Sequence, residues 1–231
     1  MNILAVDTAT QTLSVAVVNG HSTLGEFTVN APSKHSRILL PVLDQLLAHT
    51  GLETGDMDYI ACVCGPGSFT GLRIGLAAAT GLAKGSGKKL VAVPTLDALA
   101  YNMFTILNEN ACVLPMLDAR RGQVYTASYM IKNGEMNRVS DYAALPVAEV
   151  LTALNGKKAI FLGDGAAAYE NTIREHYPPA VFAPVNANRP RAASAGYCAL
   201  RMLERGYKPQ TAIKPLYLRK PQAERERELC K

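Results

Sequence analysis

The sequence has 231 residues, of which 48% are hydrophobic and 19% are charged. Such a chain is long and apolar enough to bury one large core or two smaller ones, which excludes an intrinsically disordered protein. Lys and Arg total 24 against 19 Asp and Glu. The resulting net charge of +5 is too small to predict tight nucleic-acid binding.

The start of the chain has no basic segment and reaches Asp7 after a short apolar run, so we expect neither a signal peptide nor a transit peptide. No apolar stretch is long enough to span a bilayer, and five cysteines form an odd set typical of reduced thiols. We therefore expect a cytoplasmic protein without membrane contact. Cys62 and Cys64 fall on one face of an apolar strand as small buried hydrophobes. The histidines lack the helical spacing of a zinc site.

The first half of the chain alternates short strands with helices. Asn19-Gly20 predicts a hairpin turn, and Gly51 predicts the end of the first helix. The pattern predicts strands at 3–6, 13–18, 59–64 and 90–93, and helices at 33–49, 72–84 and 95–107.

The opening pattern then returns. An apolar run again ends on an acid, Asp118, followed by a polar turn, a strand at 123–131 and the hairpin signal Asn133-Gly134. This repetition predicts an α/β protein with two similar domains, at 1–108 and 109–231. The second half is further predicted to contain a strand at 159–162, helices at 147–154, 166–176 and 192–204, and a charged tail at 219–231.

Asp7 and Asp118 each follow an apolar strand and precede a polar turn. The actin, Hsp70 and sugar-kinase fold places such an acid at a nucleotide phosphate and its magnesium, usually with a glycine close behind it so that phosphate can approach the backbone. Here Thr8 follows Asp7, and the second turn reaches glycine only at Gly122. Two interpretations stay open: a vestigial phosphate site, or a turn whose acid accepts backbone hydrogen bonds.

Gly163-Asp164-Gly165 follows a strand and opens a helix, where a nucleotide could approach the helix N-terminus. A tight turn explains the same glycines equally well, and the motif is not a dinucleotide fingerprint. Ser68 lacks the Gly-x-Ser-x-Gly pattern of a nucleophile, so we expect a structural role for it. The candidate vestigial nucleotide site, with weak nucleotide binding and no other cofactor, comprises Asp7, Thr8, Asp118, Gly163 and Gly165.

Gly65–Gly75 is the most informative stretch, because an ordinary loop does not require so many constrained residues. It resembles the TsaB (YeaZ) family of bacterial tRNA threonylcarbamoyladenosine (t6A) biosynthesis proteins. The resemblance extends over essentially the whole chain, through the segments 3–10, 33–36, 94–99, 117–121 and 215–219.

The resemblance implies duplicated actin-like domains, as in the paralogous transferase TsaD. It also implies a heterodimer with TsaD, a ternary complex with the ATPase TsaE, a homodimer when the chain is alone, and weak or indirect contact with tRNA. The metal-binding histidines of TsaD fall here on Thr95 and Leu99, which cannot replace two imidazoles. We expect no metal, no catalytic residue and a non-catalytic subunit. An actin-like ATPase or kinase, or an M22-type metallopeptidase, remains an alternative.

The first two helices have more apolar surface than one core needs. Apolar side chains from Ile38 to Leu47 cover about 200° of helical arc, where one buried face needs slightly over about 100°. From Leu72 to Ala83 the second helix is apolar or small except at Arg73. Either the helices bury each other, or, as the resemblance implies, they bind TsaD. The predicted interface comprises Leu39, Leu40, Leu43, Leu47, Leu72, Arg73, Leu76 and Ala79.

Overall fold

The computed structural model describes residues 1–30, 34–104 and 111–219. Three predicted features lie outside these ranges: the end of the third helix, the domain boundary near residue 108, and the charged tail from residue 220 onward. None of the helices in the described ranges is long and apolar enough to cross a membrane.

The first sheet has the strand order β3-β2-β1-β4-β5. Its central strand β1 pairs antiparallel with β2 and parallel with β4, and β1 and β2 are buried throughout because they consist of nearly continuous apolar runs. The strand β3 was not predicted, since it is a largely exposed edge strand without an apolar alternation. The strands are β1 (Ile3–Asp7), β2 (Thr12–Val18), β3 (Thr23–Asn30), β4 (Tyr59–Gly65) and β5 (Lys89–Pro94).

The second sheet has the order β10-β7-β6-β11-β12, with β8 pairing to β6 and β9. As in the first sheet, the first strand is central, with an antiparallel neighbour on one side and a parallel neighbour on the other. The predicted duplicated α/β fold is therefore confirmed. The strands are β6 (Cys112–Arg120), β7 (Gln123–Thr126), β8 (Tyr129–Lys132), β9 (Glu135–Arg138), β10 (Ala143–Pro146), β11 (Ala159–Leu162) and β12 (Ala180–Phe182).

Two predictions in this sheet need correction or gain detail. The strand predicted at 123–131 is two strands, because β7 and β8 pair with different parts of β6 and the extended conformation is interrupted between them. The Asn133-Gly134 turn between β8 and β9 has positive φ at both residues, 55° and 66°, as a tight hairpin turn requires.

Seven α-helices accompany the sheets in the described ranges. The first two end at Gly51 and Gly87, whose left-handed φ values of 67° and 68° close the helices. The helix predicted from residue 95 is shorter and continues as a 3₁₀ turn, and the helix predicted at 166–176 breaks at Tyr169. The helices are α1 (His35–Thr50), α2 (Phe69–Ser86), α3 (Thr95–Ala100), α4 (Val147–Ala153), α5 (Asp164–Ala168), α6 (Glu170–His176) and α7 (Ala192–Glu204).

Helix α7 belongs to the second half of the chain but packs on the first sheet. Its alanines, together with Cys198 and Leu200, share a core with β1, β2, β4 and β5. Its N-terminal amides form hydrogen bonds to the first sheet: the amide of Ala192 donates to the Ser14 hydroxyl, and that of Ala193 donates to the Glu26 carboxylate. A boundary near residue 108 separates the two sheets, but it assigns α7 to the second domain although α7 packs on the first sheet. We call the first sheet with α1, α2 and α7 the first lobe, and the second sheet with α4, α5 and α6 the second lobe.

Helix α3 joins the two lobes. Ala98 packs in the core of the first sheet, whereas Leu99 packs in that of the second. Between them, one carboxylate oxygen of Asp97 accepts hydrogen bonds from the hydroxyls of Tyr129 at 2.5 Å and Tyr142 at 2.7 Å. Burial raises the pKa of Asp97, and the two tyrosine hydroxyls partly offset that rise. This buried carboxylate therefore ties α3 to the second lobe.

We predict that Tyr142→Phe lowers the free energy of unfolding by about 2 kcal/mol, because it removes a hydrogen bond to a buried carboxylate. Urea denaturation of the full chain measures this value. Tyr59→Phe is the matched control, since Tyr59 is a half-buried tyrosine at the start of β4 that is not bonded to Asp97. Equal losses from the two substitutions would contradict the role of Asp97.

Candidate functional site

A cleft of about 1020 Å³ lies between the lobes. This volume is at the upper end of the range of small-molecule sites. Its walls come from the turn after β1, the starts of α1 and α2, the end of β6, and two loops of the second half of the chain. The lining residues include Thr10, His35, Phe69, Thr70, Asp118, Arg120, Asp164, Arg189, Tyr217 and Arg219.

Helix α2 packs directly on the turn after β1. A Cβ atom at Gly71 would collide with the carbonyl oxygen of Thr8, and one at Gly75 would collide with the Thr8 hydroxyl. The same hydroxyl donates to the carbonyl of Gly71 at 2.8 Å. Gly71 and Gly75 thus allow close backbone contact within the chain, and Thr8 is buried by it.

Asp7 is enclosed rather than open to the cleft. Its Oδ1 accepts a hydrogen bond from the amide of Ala9 at 2.9 Å, while its Oδ2 has no partner among the described residues. Burial raises the pKa of Asp7 to about 6, although the Ala9 hydrogen bond opposes the rise. A carboxylate in this position accepts the hydrogen bond of a backbone turn, and it does not line the cleft.

The second acid turn has the same local geometry but faces the cleft. Oδ1 of Asp118 accepts a hydrogen bond from the amide of Arg120 at 2.8 Å, and the Arg120 guanidinium lies 3.2 Å from Oδ2. The Tyr169 hydroxyl approaches Oδ1 at 3.4 Å. Both acids therefore accept a backbone hydrogen bond two residues on, which is the capping interpretation left open by the sequence.

The glycines of the Gly163-Asp164-Gly165 motif allow α5 to pack closely on β6. A Cβ atom at Gly163 would collide with the carbonyl of Met116, and one at Gly165 would press on the backbone at Leu117. Short α5 therefore lies against β6, as the tight-turn interpretation requires. Of the five candidate nucleotide-site residues, the structure places only Asp118 in the wall of the cleft. Nucleotide binding itself stays a prediction.

A segment after α7 closes one end of the cleft, and its role was not predicted. The amide of Leu216 donates to the carbonyl of Cys64 at 2.7 Å, at the end of β4. Three residues later, the guanidinium of Arg219 donates to the carbonyl of Ala119 at 2.7 Å, at the end of β6. Residues 216–219, which we call the strap, therefore bridge the two lobes.

Aromatic stacking fixes the strap to α2. The ring of Tyr217 stacks on Phe69 with centroids 4.7 Å apart, and the guanidinium of Arg73 lies 3.9 Å from the Phe69 centroid on the same cluster. The Arg73 Nε also approaches the Tyr217 hydroxyl at 3.4 Å. The only available sequence signal was the matching segment at 215–219, which gave no contact partner.

The structure places the residues of the predicted helical interface on different faces of α1 and α2. Leu40 is 58% exposed, Leu47 is half-buried and Arg73 is exposed. The other five face the core of their own lobe, because the inner faces of α1 and α2 cover the first sheet: Leu39, Leu43, Leu72, Leu76 and Ala79. The inner faces of both helices are thus buried against the first sheet within this chain. The partner interface itself stays a prediction.

An open groove remains between the outer faces of α1 and α2. One part, of about 640 Å³, is lined by Leu40, Pro41, Leu47 and Leu82 among others. A second part, of about 860 Å³, continues past Leu47 to the small residues of α2. No atom lies within 4 Å of a Cβ built at Gly81 or Gly85, so another chain can approach the helix backbone there. We call this surface the α1–α2 groove.

The residues considered as possible catalytic or metal-binding positions are buried in the core or cap a helix. Thr95 and Leu99 are buried in α3, and the described residues contain no group of three or more potential metal ligands. Ser68 caps α2, since its hydroxyl accepts a hydrogen bond of 3.2 Å from the amide of Gly71. Burial raises the pKa of the Cys64 thiol to about 12, so this thiol stays protonated, as expected for a small buried hydrophobe.

The two lobes have matching sheet topology, and in each an acid turn follows the first strand. Together with the cleft between the lobes, these features define a duplicated actin-like fold. The solved structure of a hexokinase from Thermus thermophilus shares this fold, with a TM-score of 0.52 at 13% identity over 89% of this chain and 100% of that one. The structure of YeaZ from Pseudomonas aeruginosa is more similar, with a TM-score of 0.76 at 28% identity over 94% of this chain and 99% of that one.

Sequence comparison identifies the family within this class. Residues 29–227 match the family model described as TsaD, tRNA N6-adenosine threonylcarbamoyltransferase. The tRNA threonylcarbamoyladenosine biosynthesis protein TsaB of Bacillus subtilis is 33% identical over 177 residues, which are 76% of each chain. The chain belongs to the TsaB (YeaZ) family of t6A biosynthesis proteins.

We predict that Asp7→Asn removes a pH-dependent part of the stability. The folded pKa of about 6 lies above the ordinary value of 3.8, so the unfolded chain releases this proton first. The contribution of Asp7 to the free energy of unfolding therefore falls by about 3 kcal/mol as the pH rises from about 4 to about 6, and stays constant above that.

Urea denaturation at several pH values, with the exposed Asp44→Asn as control, measures this difference. Asp7→Asn should be more stable than the wild-type protein above pH 6 and approach it near pH 4. A parallel pH profile for both proteins would show that Asp7 is not held in a buried, protonation-favouring site.

Proposed function

We propose that this chain is a non-catalytic subunit of t6A formation that binds the transferase TsaD through the α1–α2 groove and activates it, with the ATPase TsaE joining the complex. The observation that carries the proposal is the open apolar groove. In the isolated protein the same surface would support a homodimer by two-fold pairing.

The chemistry of the groove favours a helical protein partner. Leu40 and Pro41 project from α1 beside the half-buried Leu47, so a docking helix would remove these apolar groups from water. The small residues Gly81 and Gly85 allow its backbone to come close to α2. The groove lies on the outer side of the first lobe, away from the cleft, so a partner there leaves the cleft walls uncovered.

The environment of Thr95 and Leu99 supports a non-catalytic role. They occupy the positions at which the family resemblance places the metal-binding histidines of TsaD, and both are packed in α3. Threonylcarbamoyl transfer would then depend on TsaD, with this chain acting on it by contact. Asp7, which is fully buried and does not line the cleft, likewise gives no support to the alternative of an ATPase or kinase.

We predict that Leu40→Glu weakens binding to TsaD by about 100-fold or more. The change removes an apolar contact worth about 1.5–3 kcal/mol and puts an unpaired carboxylate into the interface. Isothermal titration calorimetry with purified TsaD measures the affinity. The melting temperature should not change, because this side chain is 58% exposed in the isolated chain.

Val139→Glu is the matched control for this substitution, since Val139 is 55% exposed on the second lobe and lies outside the groove. It should bind TsaD as the wild-type protein does. If Leu40→Glu stays folded and binds TsaD with unchanged affinity, the partner uses another surface.

We also predict that the purified chain contains no stoichiometric zinc or iron and forms no t6A without TsaD. Metal analysis and a transfer assay with TsaD added or omitted measure the two properties. Robust tRNA modification by this chain alone would contradict the proposed role, and stoichiometric metal would favour the metallopeptidase alternative.

A further inference from the structure

One carboxylate interrupts the apolar outer face of α1. Asp44 is exposed and lines both parts of the α1–α2 groove. Leu40 lies one helical turn before it and Leu47 one turn after it, and both leucines also line the groove. Because side chains three and four residues apart share one face of a helix, Asp44 lies between these two leucines. A partner segment that covers both leucines will therefore also cover Asp44.

Nothing within α1 neutralises this carboxylate. The residues three and four positions away are Leu40, Pro41, Leu47 and Ala48, so no ion pair can form along the helix. None of the ion pairs within the described residues includes Asp44. Contact with water satisfies the carboxylate in the free protein. A docking segment that removes this water must replace it, because a buried carboxylate without a partner is strongly unfavourable.

The charged side chains that line the groove are both acidic, Asp44 and Glu53. The lysine and arginine side chains of α1 and α2 are outside the lining: Arg37, Arg73 and Lys84. The whole chain has a net charge of +5, so the groove is acidic in a protein that is basic overall. Interfaces generally bring together surfaces of opposite charge, so these carboxylates favour a basic partner segment.

We propose that the α1–α2 groove selects a partner helix with a lysine or arginine within its apolar face, and that Asp44 pairs with this cation. The inference rests on the proposed binding of TsaD and specifies the charge of the docking segment. The apolar side chains of that helix would cover Leu40 and Leu47, while its cation would replace the water around Asp44. A neutral hydrogen-bond donor could also satisfy Asp44, but it would not make binding sensitive to salt.

Three substitutions at Asp44 separate its charge from its shape. Asp44→Asn keeps the shape and removes the charge, Asp44→Glu keeps the charge, and Asp44→Lys reverses it. None should lower the melting temperature, because the side chain is exposed in the isolated chain. Glu175→Lys is the matched control for charge reversal, since Glu175 is exposed in the last turn of α6, on the second lobe and outside the groove.

Calorimetric titration of each full-length variant with purified TsaD, at low and at high salt, measures the effect. At low salt, Asp44→Asn should weaken binding by about fivefold and Asp44→Lys by about 50-fold, because the first loses an ion pair and the second brings two cations together. Asp44→Glu should bind more tightly than Asp44→Asn, and Glu175→Lys should bind as the wild-type protein does. Added salt should weaken the wild-type complex more than the Asp44→Asn complex, because salt screens the charge pair.

Wild-type affinity in Asp44→Lys would overturn the inference. Equal salt dependence of the wild-type and Asp44→Asn complexes would also overturn it, in favour of a neutral donor. Leu40→Glu distinguishes these results from failure of the proposed function. If Leu40→Glu loses binding while Asp44→Lys does not, TsaD uses the groove without a cation at Asp44. If neither substitution changes the affinity, the groove is not the surface that binds TsaD.

Discussion

The close contact between α2 and the turn after β1 determines much of this molecule. Because Gly71 and Gly75 lack side chains, the helix reaches the backbone and hydroxyl of Thr8. At the same turn Asp7 is fully buried, which raises its pKa and keeps its carboxylate out of the cleft. The second acid turn lies against α5, yet Asp118 stays in the wall of the cleft.

Helix α2 consequently has three different environments along one short segment. Its inner face packs in the core, its outer face forms the α1–α2 groove with α1, and its N-terminus opens on the cleft. Arg73 and Phe69 further connect it to Tyr217 of the strap. A partner in the groove would thus touch a helix whose other end contributes to the cleft, although the two surfaces do not overlap.

Much of the fold could be predicted from local patterns. The buried strands β1, β2 and β4 are apolar runs, Gly51 ends α1, and the acid-bearing turns revealed the duplication. The edge strand β3 was missed because half-exposed edge strands do not need an apolar alternation. The position of α7 was also beyond local patterns, since an apolar helical stripe predicts burial but not which sheet it covers.

The candidate site was predicted less well, for a related reason. The excess apolar arc of α1 corresponds to one buried face and one face open to the groove, but the sequence does not define which residues face the sheet. Five of the eight predicted interface residues therefore belong to the core, and Leu40 is the most exposed of the others. Likewise, a sequence does not distinguish glycines that allow a phosphate to approach from glycines that allow a helix to approach. The burial of Asp7 could therefore be recognised only in the tertiary structure.

The most direct measurement of the central claim is hydrogen–deuterium exchange of the full chain with and without TsaD. Binding at the α1–α2 groove predicts slower amide exchange in the outer segments 40–48 and 77–85, with the cleft segments 117–122 and 185–190 unchanged. Slower exchange confined to the cleft segments, or no change at 40–48 and 77–85 in a saturated complex, would contradict it.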